Sequence, residues 1–510
     1  MKLRKLLVLL MLVAFALVLS ACGAQGEKGP QGPQGDKGDT GATGAAGDKG
    51  DQGEVGDEGE AGADGVGIEF SFTSEGLAWR YVGSKTWNVG VEYSAIFTAM
   101  EEAGVGEMVK ATGFDYIVDD DYAEYTAGAQ LTAYEKELTF GTNAFATLED
   151  AVAAAKVEEA KEGYEGLVIY VAKGQYDGCT IDVSKLTFYG PNNGKLGQGE
   201  RIPEAEVITR VEVIADEVAF VGMKFTETAA IVLGRLAVEG ENAADAIPVS
   251  KFAVQYSYLD ATGVSPANNN RSGVITNEAP VQNIIIADNY IEATGYCKAC
   301  IDFGVTSEDV YILRNYLAGY LEGSSGQICE SIIVYNAGGE YVIDNNTLEL
   351  VTDNWCIYFV NSPTLVKADI TNNVFMGAKD DNPDKYNCGS YIAGTPEGSV
   401  VNFIGNAYRN TQYSTYRFAG SATVNILYNS YDYNSDLKFS PLGGVTLNIG
   451  KLYVEKPERI IPTANYTFGG ADAETSDEGK AAKIAEWQTS VGNYSSLAAL
   501  QEAYAAYVPE

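Results

Sequence analysis

From residue 143 to residue 455 the apolar positions fall in short runs separated by turn residues, and six of the runs share one signature. An apolar stretch closes in a turn carrying asparagine, and an apolar residue follows two positions later. The six are Ile286-Ala287-Asp288-Asn289-Tyr290-Ile291, Ile312-Leu313-Arg314-Asn315-Tyr316-Leu317, Ile343-Asp344-Asn345-Asn346-Thr347-Leu348, Ile370-Thr371-Asn372-Asn373-Val374-Phe375, Phe403-Ile404-Gly405-Asn406-Ala407-Tyr408 and Ile426-Leu427-Tyr428-Asn429-Ser430-Tyr431. Asn289, Asn315, Asn346, Asn373, Asn406 and Asn429 lie 26, 31, 27, 33 and 23 residues apart. A repeat of that size, with strands conserved in length and loops not, predicts stacked coils. One coil per repeat stacks the asparagines, whose amides can bond along the stack and which tolerate left-handed turn geometry. Met223 and Tyr256 extend the same register backwards.

The pattern changes at both ends. Thr147-Leu148-Glu149-Asp150 opens a helix with a capping pattern, and good helix formers continue it to Ala160. Strands follow at residues 167–172, 181–183 and 186–190. Residues 480–507 carry Ile484, Trp487, Leu497, Leu500 and Tyr504 as an apolar set. They read as a helical cap over the last coil, where open strand edges need cover. Before the coils, residues 67–88 alternate apolar and polar positions around Gly83-Ser84, which predicts a hairpin. The first residues have a third character. Lys2, Arg4 and Lys5 precede an apolar run at 6–19, too short for a comfortable membrane span. Glycine then occupies every third position from Gly23 to Gly65.

These patterns carry four resemblances. Leu19-Ser20-Ala21-Cys22 resembles the lipobox of bacterial lipoproteins, which implies cleavage before Cys22 and a lipid on Cys22. The Gly-X-Y run, with Gly29-Pro30-Gln31 and Gly32-Pro33-Gln34, resembles collagen, in which only glycine fits the axis. That implies a homotrimer and a stalk of roughly 130 Å at about 3 Å per residue. Trp79-Arg80-Tyr81-Val82-Gly83 with Trp87 resembles a short module found beside collagen-like segments of bacterial surface proteins, where it would register three chains through buried tryptophans. The capping helix, first strands and asparagine repeat together resemble right-handed parallel β-helix proteins of the pectin lyase-like class. The expected layout is a signal peptide at 1–21, anchor and stalk at 22–66, a hairpin module and acidic connection at 67–142, a single-stranded parallel β-helix at 143–455 and the helical cap at 456–510. The fold class is all-β, with helical caps.

Composition narrows the function. The net charge of −36 leaves no basic surface for nucleic acid and makes a polyanionic glycan an uneasy ligand without calcium or a local basic patch. The chain has no histidine, which removes His-based triads, His general bases and His-ligated metals. Cys179, Cys297, Cys300, Cys329, Cys356 and Cys388 read as buried strand residues with one disulfide; a zinc site from Cys297, Cys300, Cys329 and Cys356 is the alternative. Asp119-Asp120-Asp121 reads as a solvated loop rather than a calcium site.

Enzymes of the class act on the strand face preceding the asparagine-bearing strand. Here those strands lie at 330–336, 356–361, 389–394 and 415–420. Alternation sends Ile332, Val334, Ile357, Phe359, Ile392 and Phe418 inward and Ile333, Tyr335, Tyr358, Tyr391 and Arg417 outward. The outward set lacks the paired carboxylates of a glycosidase or the acidic calcium ligands of a lyase. Asp302 aligns facing in, and Asp380, Asp381 and Asp384 fall in a long loop. Tyr335, Tyr358, Tyr391 and Arg417 therefore form the candidate glycan-contact stripe. The expected function is a lipid-anchored extracellular surface protein whose trimeric stalk presents a β-helix for adhesion or carbohydrate binding. The alternatives are a tethered polysaccharide lyase, for which calcium would be the cofactor, or hydrolase, and a structural surface component. No catalytic residue and no resident metal is assigned.

Overall fold

Apolar runs that alternate inward and outward pair in parallel, each with the run one repeat later. Ile286 sits beside Ile312, Ile312 beside Ile343, Ile343 beside Ile370, Ile370 beside Phe403 and Phe403 beside Ile426. The computed structural model describes the backbone of residues 68–72, 76–81 and 88–92 and, apart from short internal segments, residues 113–456, 460–461 and 493–507. Within it the repeats form a right-handed parallel β-helix. Each coil has three faces. The first holds Trp355–Phe359, Gly389–Thr395 and Thr415–Gly420, and the second holds Thr364–Thr371, Val400–Ile404 and Thr423–Leu427. Strands such as Ala299–Leu313 and Glu330–Asp344 run through the corner between them, so both faces belong to one sheet. The third face is a separate sheet of short strands, among them Tyr258–Ala261, Tyr290–Ala293, Tyr316–Gly319, Thr347–Leu350 and Val374–Gly377.

The interior is built by stacking like on like. All six residues expected to point inward on the first face are buried, and each contributes about 1.5–3 kcal/mol by leaving water. Deeper in the helix Phe375, Tyr408 and Tyr431 lie almost parallel, with centroids 4.6 and 4.8 Å apart. That spacing follows the separation of neighbouring strands, about 4.8 Å.

The asparagine stack is present and fully bonded. Asn289 donates both its backbone N–H and its side-chain amide to Oδ1 of Asn315, at 3.0 and 3.0 Å. The same double donation links Asn315 to Asn346, Asn346 to Asn373, Asn373 to Asn406 and Asn406 to Asn429. Each amide also donates to a main-chain carbonyl of the coil before, as Asn346 does to Ile312 O at 2.8 Å. The ladder amides are thus paired from rung to rung. Two details differ from expectation. Ser257, not Tyr256, continues the ladder: its N–H donates to Asn289 Oδ1, and its own Oγ accepts from Met223 N–H. And the left-handed residue is the one before each ladder position, not the asparagine itself: Tyr256, Asp288, Arg314, Asn345, Asn372, Gly405 and Tyr428 all have φ between 52° and 72°. The asparagine must turn its amide into the helix, so the bend falls on its neighbour.

The two ends also depart from expectation. Thr147 caps Leu148–Glu159 by accepting from Asp150 N–H at 3.1 Å, and this helix covers the first coil with Leu148, Ala151, Val152 and Ala155. The coil begins earlier than residue 143, however. Tyr116–Val118 pairs in parallel with Leu167–Val171 and with Ala144–Phe145, so part of the expected acidic connection is a strand of the β-helix. Asp119, Asp120 and Asp121 lie at the start of the short helix that follows. At the C-terminal end Ser496 caps Leu497–Ala505. This helix lies on the flank of the coils, not over their end. Leu500 packs with Ile404 and Tyr428, and the Tyr504 hydroxyl donates to Asn372 Oδ1 at 2.6 Å. The remainder of the expected cap, including Ile484 and Trp487, lies outside the described residues.

Residues 1–96 form a separate unit. Its described part is an antiparallel sheet of Ile68–Phe72, Gly76–Tyr81 and Asn88–Glu92, the expected hairpin with one more strand. The tryptophan anchors, the stalk and Cys22 lie outside the described side chains. Cys297 and Cys300 are buried and Cys179 is partly buried, none of them in a disulfide, and Cys356 is disulfide-bonded to a partner outside the described residues. A four-cysteine zinc site is therefore excluded: Cys356 has no thiolate to give. Among the described residues no helix is long and apolar enough to cross a membrane.

Candidate ligand-binding face

On the outer side of the first face one row runs from coil to coil. It pairs Thr276 with Asp302, Asp302 with Ile333, Ile333 with Tyr358, Tyr358 with Tyr391 and Tyr391 with Arg417. Parallel in-register pairing forces this, because side chains of one parity stay on one side along the whole stack. Three of the expected contact residues therefore meet. The rings of Tyr358 and Tyr391 stack with centroids 5.3 Å apart and 12° between planes. The Arg417 guanidinium lies 4.7 Å over the Tyr391 ring. Trp355, which was not anticipated, adds a third ring 5.5 Å from Tyr391.

Tyr335 stands two residues past Ile333 on the same side. Its ring is already covered by the Lys298 ammonium, 4.1 Å from the centroid. Lys298 also pairs with Asp302 at 3.1 Å. Asp302 faces out with the row, contrary to the alignment made from sequence. The strand that carries it has irregular register between Phe303 and Thr306, so counting back from the asparagine turn slips there. Asp302 is buried despite facing outward, and burial pushes its carboxyl up, with Lys298 opposing. Burial works against the Lys298 charge as well, but Tyr335 and Asp302 hold its affinity for the proton above the usual value. Burial, and then the neighbouring Tyr391, Tyr335 and Glu330, raise the proton affinity of the Tyr358 hydroxyl, with Arg417 opposing.

The face thus divides. One end is an aromatic platform of Trp355, Tyr358 and Tyr391 under Arg417, which offers a row of ring edges and one positive charge. The other end is the Lys298–Asp302 pair beside Tyr335, which offers a carboxyl and an ammonium. Asp380, Asp381 and Asp384 lie outside the described residues. Among the described residues, the only group of three or more acidic side chains close enough to share a cation is Asp119, Asp120 and Asp121, far along the coil. There Asp119 accepts from Asp121 N–H and Asp120 from Gln175 N–H, the bonds of a capped turn.

Residues 21–67 match the collagen triple helix repeat, so the glycine period is a collagen-like segment, and such segments imply trimers. No curated protein matches the sequence. Among solved structures, ORF18 of Geobacillus virus E2 aligns at 11% identity and TM-score 0.31, over 75% of this chain and 69% of its own. PfbA, a surface adhesin of Streptococcus pneumoniae, aligns at 12% and 0.30, over 67% and 91%. A pectin methylesterase in complex with a hexasaccharide aligns at 13% and 0.26, over 74% and 97%.

Proposed function

We propose that this chain is a lipid-anchored protein of the bacterial cell surface, trimeric through its collagen-like segment, whose β-helix binds carbohydrate. The observation that carries the binding role is the outward platform of Trp355, Tyr358 and Tyr391 with Arg417 over it. A contiguous group of partly exposed aromatic side chains marks an interaction surface. The ring edges of the stack contact the apolar faces of sugar rings, and the guanidinium binds a hydroxyl or carboxylate beside them. Arg417 also supplies the local basic group that an acidic glycan requires on a chain of this net charge. The lipobox at Cys22 supports the anchor, the outer-surface location and the presentation of the β-helix by the stalk.

A second reading, a tethered polysaccharide lyase or hydrolase, is favoured by one observation. Asp302 lies on the same row as the platform with its proton affinity raised, beside a lysine. Both readings are tested by incubating the purified chain with a polysaccharide panel in the presence of calcium. Retention without new chain ends supports binding, and loss of retention in Tyr391→Ala and Arg417→Ala places it on the platform. New chain ends that disappear in Asp302→Asn establish the enzyme. A panel that shows neither leaves a structural surface role.

A further inference from the structure

On the outer side of the third face, on the other sheet of the β-helix, a second row runs from coil to coil. Gln175, Glu206, Lys224, Tyr258 and Tyr290 hold the same position on five successive coils. Gln175 Nε2 donates to Glu206 at 3.0 Å, and Lys224 pairs with Glu206 at 3.0 Å. Lys224 also lies 5.6 Å from the Tyr258 centroid, and the Tyr258 and Tyr290 centroids are 5.2 Å apart. The row thus passes from an amide and an ion pair to two aromatic rings. Loop 190–204 walls one side of it, and the loop is pinned. A Cβ at Gly197 would sit 2.1 Å from Tyr290 N, and one at Gly222 would sit 2.1 Å from Asn193 N, so loop and coils meet backbone to backbone. Buried Asn192 accepts from Ile202 N–H and donates to Ile202 O and to Glu204, each at 2.9 Å. Arg201 donates to the same Glu204 at 2.6 Å and to Tyr256 O at 2.9 Å.

Between wall and row is a groove of about 580 Å³, lined by Gly197, Gly199 and Glu204 on the loop and by Lys224, Tyr258 and Tyr290 on the face, with Arg201 behind Glu204. A concave site of this size, with a few placed polar groups and walls set in advance, is of the kind that takes a small ligand. Charge decides which. Every charged side chain that lines the groove already has an opposite partner, Arg201 with Glu204 and Lys224 with Glu206. A cationic ligand has to take Glu204 from Arg201, whose side chain is only 9% exposed and would be left as a buried, unmatched charge. An anionic ligand has to take Lys224 from Glu206 in the same way. A neutral ligand with hydroxyls parts neither pair. An ionised carboxylate offers about four lone pairs and an ammonium three N–H groups, more than one ion pair consumes. The tyrosines supply apolar ring carbon with a polar tip.

We propose that this groove binds a neutral oligosaccharide. Sugar C–H groups lie against Tyr258 and Tyr290, and sugar hydroxyls bond Glu204 and Lys224 while each keeps its partner. The net charge of −36 acts in the same direction, because it repels polyanionic glycans and leaves neutral ones unaffected. The site lies on a different sheet from the Tyr358–Tyr391–Arg417 platform and shares no residue with it, so either can fail alone.

The test is calorimetric titration of the full chain with neutral tetramers of glucose, mannose and galactose, with tetramers of galacturonic acid and glucosamine as charged comparisons. The expected result is that at least one neutral tetramer binds at least tenfold tighter than both charged ones, with an affinity that does not change with salt. Tyr258→Ala, which removes a ring, and Gly199→Phe, which fills the groove, each weaken that binding at least tenfold in protein shown to be folded by circular dichroism. Tyr391→Ala and Arg417→Ala leave it unchanged. No binding of any neutral tetramer, binding of a charged tetramer as tight as the best neutral one, full binding by folded Gly199→Phe, or loss of binding in the platform variants overturns the proposal.

Discussion

At the scale of single residues, the ladder asparagines and the charged pair on the first face behave oppositely. The Asn346 side chain takes part in four buried hydrogen bonds, two through Oδ1 and two through its amide nitrogen. Asn346→Ala strands two donors of Asn315 inside the β-helix, and each unmet buried group costs about 1–3 kcal/mol, so a loss of about 3 kcal/mol or more is expected. Urea unfolding with an unchanged m-value checks it. Asp302 instead is held above its ordinary pKa, chiefly by burial. Its contribution to folding is complete below the unfolded-state value, about 3.9 for aspartate, and is lost as pH rises through the higher folded value. Asp302→Asn has no such loss. The urea midpoint of the variant, relative to the parent, should therefore be more favourable at neutral pH than at pH 3.

At the scale of elements, the C-terminal helix is a side strap held by Leu500, Tyr504 and Tyr507 against Ile404 and Tyr428. Tyr504 reaches Asn372, and a Cβ at Gly405 would lie 2.3 Å from its ring carbon, at a residue whose φ of +72° already suits glycine. Gly405→Ala therefore pushes the helix off while the asparagine stack beneath it keeps its bonds. Limited proteolysis should cut near residues 493–507 faster in this variant, with the coils remaining resistant. Tyr504→Phe keeps the ring and loses one hydrogen bond, and should fall between the two. The strap explains why residues 497–505 carry their apolar set without closing the coil end.

At the scale of the whole molecule, the glycine period sets the assembly. Collagen-like chains associate in threes because a lone chain leaves every backbone group without an internal partner. Sedimentation should give a trimer for the full chain and a monomer once residues 23–65 are deleted. Gly44→Ser, in the middle of the register, should lower the melting temperature of the collagen signal and leave the β-sheet signal in place. Binding to an immobilised glycan surface should weaken on deletion of the stalk, since three linked sites bind such a surface more tightly than one.

The sequence by itself determined the coil. Six asparagine turns at irregular spacing, with inward positions that alternate, specify a stacked parallel helix because every coil must bury the same face and satisfy the same amides. It also brought Tyr358, Tyr391 and Arg417 together, since parity along in-register strands is countable. Where the count met an irregular strand it failed: Asp302 faces outward, and only the pairing of Thr276 through Ile333 shows it. Tertiary structure alone decided that Ser257 rather than Tyr256 joins the ladder and that Trp355 completes the platform. It alone decided that Tyr335 lies under Lys298. The same holds for the early strand at Tyr116–Val118 and for the helix on the flank. Those features rest on contacts between residues tens of positions apart, which local pattern does not encode. The tyrosines of the third face are of this kind too: Tyr258, Tyr290 and Tyr316 look scattered until the coils stack them.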